Sequence, residues 1–250
     1  MKFARVLLQD KVCYAVLEEA EARLIEGTVF GEFELTDEVH PLSSVRLLAP
    51  SQPSKVVCVG LNYAEHARES NMPVPDEPIL FIKPSTSVIG PDEAIVYPGM
   101  TKRLDYEAEL GVVVKKRMKD VGPAEVCKYL LGYTCLNDVT ARDLQKKDGQ
   151  WTRSKSFDTF CPIGPWVVDD IDPNNVEIEL YLNGEPRQTS NTKEFVFNME
   201  NLLSFISRVM TLLPGDVVGT GTPSGIGPMI KGDQVEVRIE GIGSLKNQVV

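Results

Sequence analysis

The chain has 250 residues, 42% of them hydrophobic, and 26 Lys and Arg against 36 Asp and Glu leave a net charge of −10. This length and apolar content can bury a substantial core and exclude a disordered protein, and the acidic balance without a basic stripe excludes a nucleic-acid partner. Because Asp10 and Lys11 interrupt the apolar run that a signal peptide needs, and no later segment approaches a membrane span, a soluble, cytoplasmic protein without a membrane partner is expected.

The first 50 residues break into short apolar runs, KFARVLL, VCYAVL and ARLIEGTVF. This pattern predicts a small β-rich N-terminal domain built as a meander of strands. The segment LLAPSQPS at 47–54 holds two prolines and two serines and predicts an extended linker. We therefore divide the chain into a small domain at 1–50 and a larger domain at 51–250.

The larger domain opens with KVVCVG, which predicts a buried strand that ends in glycine. Asn62 and Glu65 then have the spacing of a capping box, which predicts a short helix from about Tyr63. The segment NMPVPDEP at 71–78 carries three prolines in eight residues and favours an irregular segment that can serve as a lid. The run ILFIKP after it predicts another strand.

Acidic residues alternate with apolar ones in RLDYEAEL at 103–110, which places Asp105, Glu107 and Glu109 at every second position. In a strand, this period puts all three carboxylates on one face, and a solvated edge strand is the simplest explanation. Asp138 ends the apolar run YLLGYTCLND, where it is either an ordinary turn residue or one of several groups that converge on a site. If Glu107, Glu109 and Asp138 meet, their repulsion requires a divalent cation, and oxygen ligands suit Mg²⁺, Mn²⁺ or Ca²⁺.

Strand and helix signals alternate in the rest of the chain. Thr140 and Asp143 again have capping spacing, and the NG dipeptide at 183–184 predicts a β-hairpin. Apolar residues recur at helical spacing behind Asn198, which predicts an amphipathic helix that Pro214 ends. Strand-like runs finish the chain. Because strands outnumber helices without regular βαβ alternation, the fold class is α+β, with a large mixed sheet that closes on itself.

Six sequence blocks follow one another along the chain: GLNYAEHARE at 60–69, FIKPST at 81–86, DYEAEL at 105–110, NDVTARDLQ at 137–145, SKSFDTFCPIGP at 154–165 and VVGTGTPSGIG at 217–227. Together they resemble the fumarylacetoacetate hydrolase family, from about residue 55 to the C-terminus. The resemblance implies a catalytic domain with a mixed β-sheet rolled into a barrel-like core, a few short helices, and a homodimer. It also implies that Glu107, Glu109 and Asp138 bind Mg²⁺ or Mn²⁺, with Asp105 outside the ligand set.

Three residues are candidates for catalysis. By resemblance, Lys155 places an ammonium beside developing negative charge, although a solvated surface lysine is the simpler alternative. His66 and Glu69 stand three apart on the predicted helix, so the glutamate can orient the imidazole for removal of a proton from water. A surface helix pair is the alternative explanation of that spacing.

Three further residues are candidates for substrate binding. By resemblance, Thr222 and adjacent backbone amides hold the substrate carboxylate, although glycines between strands explain the composition of that segment equally well. Arg142 and Gln145 are expected to face the same pocket, with a helix-surface role as the alternative. Some family members that cleave acylpyruvates carry arginine where this chain has Leu61, so the sequence departs from that subgroup here, and the resemblance alone does not establish its substrate preference for this chain.

These residues predict chemistry on 2-oxo acids. A 2-oxo carboxylate that chelates the ion forms a metal-bound enolate, the common intermediate of C–C hydrolysis, decarboxylation and keto–enol isomerisation. We expect an enzyme that acts on a small 2-oxo or 2,4-dioxo acid, with C–C hydrolysis of acylpyruvate or fumarylpyruvate type as the first reading. Isomerisation of 2-hydroxyhepta-2,4-diene-1,7-dioate type in aromatic catabolism and oxaloacetate decarboxylation are the alternatives. A metal-stabilised binding protein is the non-enzymatic alternative, in which Lys155 and His66 are dispensable.

Overall fold

The computed structural model describes residues 1–250 and consists mainly of β-strands. The strands are β1 (Lys2–Leu8), β2 (Lys11–Glu18), β3 (Glu21–Gly27), β4 (Phe33–Pro41), β5 (Arg46–Leu48), β6 (Lys55–Gly60), β7 (Ile79–Pro84), β8 (Val88–Ile89), β9 (Ala94–Ile95), β10 (Leu104–Tyr106), β11 (Ala108–Val114), β12 (Leu130–Asn137), β13 (Thr140–Ala141), β14 (Cys161–Val168), β15 (Glu177–Leu182), β16 (Glu185–Asn191), β17 (Val217–Gly219), β18 (Gly227–Met229), β19 (Gln234–Ile239) and β20 (Gly243–Val249). The α-helices are α1 (Ala64–Glu69), α2 (Arg142–Asp148), α3 (Thr152–Lys155) and α4 (Met199–Val209), and short 3-10 helices span Leu42–Ser44, Ser85–Ser87, Pro123–Tyr129 and Thr192–Glu194.

The strands form three sheets, of which the largest has twelve strands. Its path runs β4-β3-β2-β1-β14-β12-β11-β17-β6-β7, with β5 and β8 paired to it off this path. The second sheet is β16-β15-β19-β20-β9 and the third is β13-β10-β18. Because the path of the largest sheet ends at β4 and β7, which do not pair with each other, the prediction of a sheet closed into a barrel is wrong. The fold has few helices and large mixed sheets.

The apolar core lies between two sheets, so the largest sheet does not need to close on itself to bury its apolar face. The main apolar cluster combines Leu110 and Val112 of β11 with Ile178 of β15 and Val237 of β19, all buried. The twelve-stranded and five-stranded sheets therefore cover each other's apolar faces, as packed sheets do. The predicted hairpin at 183–184 joins β15 to β16, and its two residues have φ angles of 54° and 83°, as a type I′ turn requires.

Residues 1–50 continue the largest sheet. The strands β1 to β4 pair antiparallel in succession, and β1 also pairs with β14, where Lys2 and Phe3 lie opposite Val168 and Val167. The chain from residue 49 to 54 has no regular secondary structure. The division of the chain at residue 50 stays a prediction.

The two predicted capping boxes are absent, because tertiary contacts take their side chains. The Asn62 amide donates to the backbone carbonyls of Thr220 at 2.8 Å and Phe197 at 3.1 Å. The Thr140 hydroxyl donates to the Glu107 carboxylate at 3.1 Å. Neither α1 nor α2 has a side-chain N-cap bond. The sequence pattern therefore located both helices but not the role of these polar residues.

The helix α4 confirms its predicted start but not its predicted end. The Asn198 side chain accepts a backbone N–H of the first turn at 3.0 Å, as an N-cap does. The helix ends at Val209, before the chain reaches Pro214, because Leu212 turns away to form a β-bridge with Met118. None of the helices combines the length and apolar character needed to cross a lipid bilayer.

Candidate active site

The acidic segment is not one continuous strand. β10 ends at Tyr106 and β11 begins at Ala108, so Glu107 lies at the break. Every residue from Leu104 to Val114 is buried. The explanation by a solvated edge strand is therefore wrong, because β10 lies between two neighbours in the three-stranded sheet and β11 lies inside the largest sheet. Buried carboxylates need charged or hydrogen-bonding partners.

Glu107, Glu109 and Asp138 lie together in the structure. One carboxylate oxygen of each lies within 4.8 Å of the others, and none of the three residues is more than 4% exposed. The antiparallel pairing of β11 with β12 places Ala108 opposite Asn137, so the carboxylates on either side of Ala108 meet the one that follows β12. The predicted convergence of two chain segments on one acidic cluster is present.

Two of the three carboxylates already have cationic partners. The Lys155 ammonium donates to Glu107 at 2.9 Å and to Asp138 at 2.5 Å. Lys83 donates to the other oxygen of Asp138, and Arg142 donates to the other oxygen of Glu107. Burial opposes ionisation of Glu107, but the charges of Lys155 and Arg142 outweigh it and hold its pKa well below the ordinary value. Burial likewise opposes the charge on Lys155, yet Asp138 and Glu107 raise its pKa, so its ammonium stays protonated.

Glu109 is the exception in this cluster. It has no salt bridge, and its carboxylate accepts one backbone N–H, that of Gly221, at 3.1 Å. Burial raises its pKa well above the ordinary value, and the negative charges of Asp138 and Glu107 add to the effect. A buried carboxylate without a cationic partner, beside two others, is the arrangement that a divalent cation neutralises. The three-carboxylate donor set therefore fits Mg²⁺ or Mn²⁺.

One cavity of about 430 Å³ brings all the candidate site residues together. Its lining includes His66, Glu69, Glu107, Glu109, Asp138, Arg142, Gln145, Lys155 and Thr222. A cavity of this volume is within the range of small-molecule sites. The surface-residue alternatives for Lys155 and Arg142 are wrong, since their exposed fractions are only 2% and 8%.

His66 and Glu69 form a hydrogen-bonded pair on α1. His66 Nδ1 lies 3.2 Å from one Glu69 carboxylate oxygen, and the other oxygen accepts the backbone N–H of Gly225 at 3.1 Å. His66 is 6% exposed whereas Glu69 is exposed, so the imidazole is buried and its carboxylate partner reaches the surface. Because the glutamate engages Nδ1, the imidazole keeps Nε2 as the nitrogen that can accept another proton.

The candidate substrate-binding residues are held by neighbours. Arg142 donates to the Gln145 side chain at 2.6 Å, and Thr222 accepts a bond from the Gln188 amide at 2.9 Å. Leu61 also lines the cavity, and it adopts a left-handed backbone conformation with φ 60°. Such a conformation is uncommon for a leucine and is often found at binding sites.

Two known protein families match different parts of this chain. Residues 55–250 match the fumarylacetoacetate (FAA) hydrolase C-terminal family. The chain belongs to the fumarylacetoacetate hydrolase family. Residues 1–50 match a second family, described as Rv2993c-like, N-terminal.

Relatives within this family include named enzymes. Oxaloacetate tautomerase Fahd2a, mitochondrial, of Rattus norvegicus is 46% identical, over 84% of this chain and 71% of the rat protein. The crystal structure of 2-hydroxyhepta-2,4-diene-1,7-dioate isomerase from Mycobacterium marinum is 44% identical and has a TM-score of 0.93, covering 100% of this chain and 98% of that one. A protein of Archaeoglobus fulgidus is 52% identical over 92% of this chain and 94% of its own. The chain is thus a member of an enzyme family whose fold its own structure shares.

Sequence reasoning missed Lys83, Gln188 and Trp151 at this fumarylacetoacetate hydrolase-type site. Lys83 is fully buried against Asp138, and a lysine within the apolar run ILFIKP was the available signal. Gln188 contacts Thr222 from a hairpin strand, and no local pattern marks it. Trp151 lines the cavity next to Phe81, with ring centroids 5.3 Å apart.

Gly219 provides a test of the metal assignment. A Cβ at this position on β17 would lie 2.4 Å from a Glu109 carboxylate oxygen, so Gly219→Ala must displace that carboxylate. We expect Mn²⁺ affinity, measured by calorimetry, to fall by about 10–100-fold, as when the support of a metal ligand is disturbed. Gly122→Ala is the matched control, because its Cβ would meet no atom within 4 Å. Unchanged affinity in a folded Gly219→Ala protein would contradict the role of Glu109.

Proposed function

We propose that the protein is a divalent-metal-dependent enzyme that hydrolyses a C–C bond of a 2,4-dioxo carboxylic acid, of acylpyruvate or fumarylpyruvate type, through an enolate. The observation that carries this proposal is the buried cluster of Glu107, Glu109 and Asp138 beside the Lys155 ammonium, in a cavity that also holds the His66–Glu69 pair. Membership of an enzyme family supports catalysis, and the His66–Glu69 pair supports a reaction that consumes water.

The acidic cluster would hold Mg²⁺ or Mn²⁺ through Glu107, Glu109 and Asp138. When bound, the ion supplies Lewis-acid stabilisation of the negative charge that develops on the 2-oxo group. Thr222 and the neighbouring backbone amides hold the substrate carboxylate, and Arg142 with Gln145 borders the same cavity. The substrate is thereby oriented before any bond changes.

Lys155 supplies a fixed positive charge at the reacting end of the substrate. Its ammonium is held by Glu107 and Asp138 and remains protonated, because these two carboxylates raise its pKa against the effect of burial. A preorganised ammonium in a buried site stabilises an enolate more strongly than water does. Its role is therefore to stabilise charge and not to accept a proton.

The His66–Glu69 pair acts on water. His66 Nε2 accepts a proton while the water oxygen adds to the acyl carbonyl carbon. The bond between that carbon and C3 then breaks, its electron pair stays with the 2-oxo acid as an enolate, and a proton returns to C3. The products are a carboxylic acid and a 2-oxo acid, so the atoms of substrate and water are all accounted for.

His66→Ala separates hydrolysis from enolisation. We expect the rate of acetylpyruvate cleavage to fall by about 10²–10⁴-fold, since this is the usual contribution of a general base. Deuterium exchange at C3 of a 2-oxo acid, followed by NMR, should change by less than about threefold, because Lys155 still stabilises the enolate and solvent water exchanges the C3 proton. Arg68→Ala, an exposed change on the same helix, is the control. Retained cleavage in His66→Ala would assign the base to another residue.

Tautomerisation or isomerisation is the second candidate. Two relatives, an oxaloacetate tautomerase and a 2-hydroxyhepta-2,4-diene-1,7-dioate isomerase, carry names for reactions that move a proton without consuming water. Oxaloacetate decarboxylation leaves the same kind of enolate when CO₂ departs from the keto form. A turnover panel with Mg²⁺ tests all of these: acetylpyruvate, fumarylpyruvate, enol-oxaloacetate and the hydroxy-dienoate. Enol–keto conversion or CO₂ release without acylpyruvate cleavage would replace hydrolysis, and no turnover of any substrate would favour a metal-stabilised binding protein.

We also propose that the protein acts as a homodimer on a small 2-oxo acid. The dimer rests on the family resemblance alone. Light scattering on the purified protein tests it, and a monomeric mass at all concentrations would refute it.

A further inference from the structure

Asp105 is the carboxylate of the alternating acidic segment that lies outside the acidic cluster. It is fully buried and takes hydrogen bonds from two guanidinium groups. Arg103 donates Nε to Oδ1 at 2.8 Å and Nη2 to Oδ2 at 3.1 Å. Arg142 donates Nε to Oδ2 at 2.9 Å. Both arginines border the cavity, and Arg142 also bonds to Glu107, so the sharing of this buried carboxylate needs an explanation beyond charge balance.

Arg142 uses each of its three nitrogens for a different acceptor. Nε bonds to Asp105, Nη1 bonds to Gln145 at 2.6 Å, and Nη2 bonds to Glu107. A guanidinium has five N–H donors, so two remain, one on each Nη nitrogen. Arg142 lines the cavity, and these two donors are the ones available to a ligand there.

Guanidinium and carboxylate groups favour two parallel hydrogen bonds when nothing prevents them. Arg142 makes only one such bond with Glu107, because its Nε is held by Asp105 and the other Glu107 oxygen accepts the Lys155 ammonium. Without the Asp105 charge, Arg142 is free to rotate and to compete with Lys155 for that second oxygen, which would close a two-bond pair with Glu107. That pair would occupy both the carboxylate oxygens that the cation needs and the N–H groups that a substrate needs.

We propose that Asp105 is a positioning residue that keeps Arg142 from capturing Glu107, and so preserves both the cation site and the substrate-facing N–H groups. Arg103 holds Asp105 with two hydrogen bonds, and its own side chain is 47% exposed and also borders the cavity. The inference rests on the proposed function in assigning Glu107 to the cation and Arg142 to the substrate. It gives Asp105 a role distinct from that of the two glutamates of the segment, which are assigned to the cation.

The decisive measurement is Mn²⁺ affinity by calorimetry in four proteins: wild type, Asp105→Asn, Arg142→Gln and the double variant. Asp105→Asn should weaken Mn²⁺ binding by about 10-fold or more, a loss in the range seen when the support of a metal ligand is removed. Arg142→Gln should bind Mn²⁺ at least as tightly as wild type, because the competing guanidinium is gone. The double variant should match Arg142→Gln, since Asp105 acts only through Arg142.

A merely structural role gives a different pattern. In that case Asp105→Asn lowers affinity equally in both backgrounds, or leaves it unchanged, and either result overturns the proposal. Asp216→Asn is the matched control, because Asp216 is also fully buried and ion-paired, with Lys55 and away from the cavity. It should lower the melting temperature without changing Mn²⁺ affinity.

A second variant keeps the test valid if Asp105→Asn does not fold. Asp105→Glu keeps the charge but moves it by one methylene, so Mn²⁺ affinity should stay within about threefold while KM for the substrate rises by about 10-fold or more, because a small displacement of a positioning group is costly. Unchanged KM would overturn the proposal. A wild-type protein that binds no Mn²⁺ would overturn this inference and the proposed function together, whereas Mn²⁺ binding that is indifferent to Asp105 would overturn this inference alone.

Discussion

Glu109→Gln is expected to abolish Mn²⁺ binding and to raise the melting temperature of the metal-free protein. Glu109 has no cationic partner, and burial with the charges of Asp138 and Glu107 raises its pKa well above the ordinary value. A neutral amide of nearly the same shape avoids the free-energy cost of either burying this charge or protonating the carboxylate. A gain of about 1 kcal/mol corresponds to about 2–4 °C for a chain of this size. Thermal melts with and without Mn²⁺ measure both effects.

The direction of the pH dependence follows from the raised pKa. The folded protein binds a proton at Glu109 more tightly than the unfolded chain does, so the metal-free wild type loses stability as pH rises from the ordinary carboxyl range towards the raised pKa. The stability advantage of Glu109→Gln should therefore grow over the same rise in pH. It should be small in acid, where the wild-type carboxyl is already protonated.

Glu107→Gln is the matched comparison at the same site. Its carboxylate pairs with Lys155 and Arg142, so its removal leaves buried cations without a partner. The metal-free protein should lose about 3–5 kcal/mol, the usual cost of breaking a buried pair. The two substitutions, Glu109→Gln and Glu107→Gln, should thus change the stability of the metal-free protein in opposite directions, although both should abolish Mn²⁺ binding. Equal changes in melting temperature for both variants would contradict the description of the site.

Lys155→Met is expected to reduce deuterium exchange at C3 of a 2-oxo acid by about 10²–10⁴-fold, because the fixed charge that stabilises the enolate is removed. Mn²⁺ binding should persist or tighten, since the ammonium competes with the ion for Glu107 and Asp138. NMR exchange and calorimetry measure the two effects separately. Lys147→Met removes an exposed lysine from α2 and serves as the control. Full exchange in Lys155→Met would remove this lysine from the mechanism.

Short sequence patterns correctly predicted the elements whose conformation depends on residues close in the chain. The hairpin at 183–184 and the Asn198 cap depend on neighbouring residues, and both are present. β14 escaped prediction because Pro162 and Pro165 lie within it, and proline normally indicates a strand edge or no strand. Its pairing with β1 and β12 is a long-range contact that no local pattern contains. Closure of the sheet was predicted wrongly for the same reason, since the two ends of a sheet meet or stay apart through tertiary packing.

The candidate site also combines features that the sequence predicts with features that depend on tertiary contacts. Alternation in the acidic segment and the strand-end position of Asp138 left open whether carboxylates from two segments converge; the family resemblance implied that they do, and the structure brings them together. The break at Glu107 and the burial of both strand faces were not visible, because they depend on neighbouring sheets. The cationic partners Lys83 and Arg142 are brought to the cluster from β7 and α2, and only the folded chain places them there.

The pairing of β1 with β14 has a consequence for truncated proteins. Every residue that lines the cavity lies beyond residue 50, so a shortened chain would keep all of the chemistry. It would also bare the backbone of Val167 and Val168, which Phe3 and Lys2 now cover. Unpaired strand edges recruit strands from other molecules. The leading segment thus moves the edge of the sheet from two valines of β14 to β4, an edge strand that carries Glu34, Asp37 and Glu38.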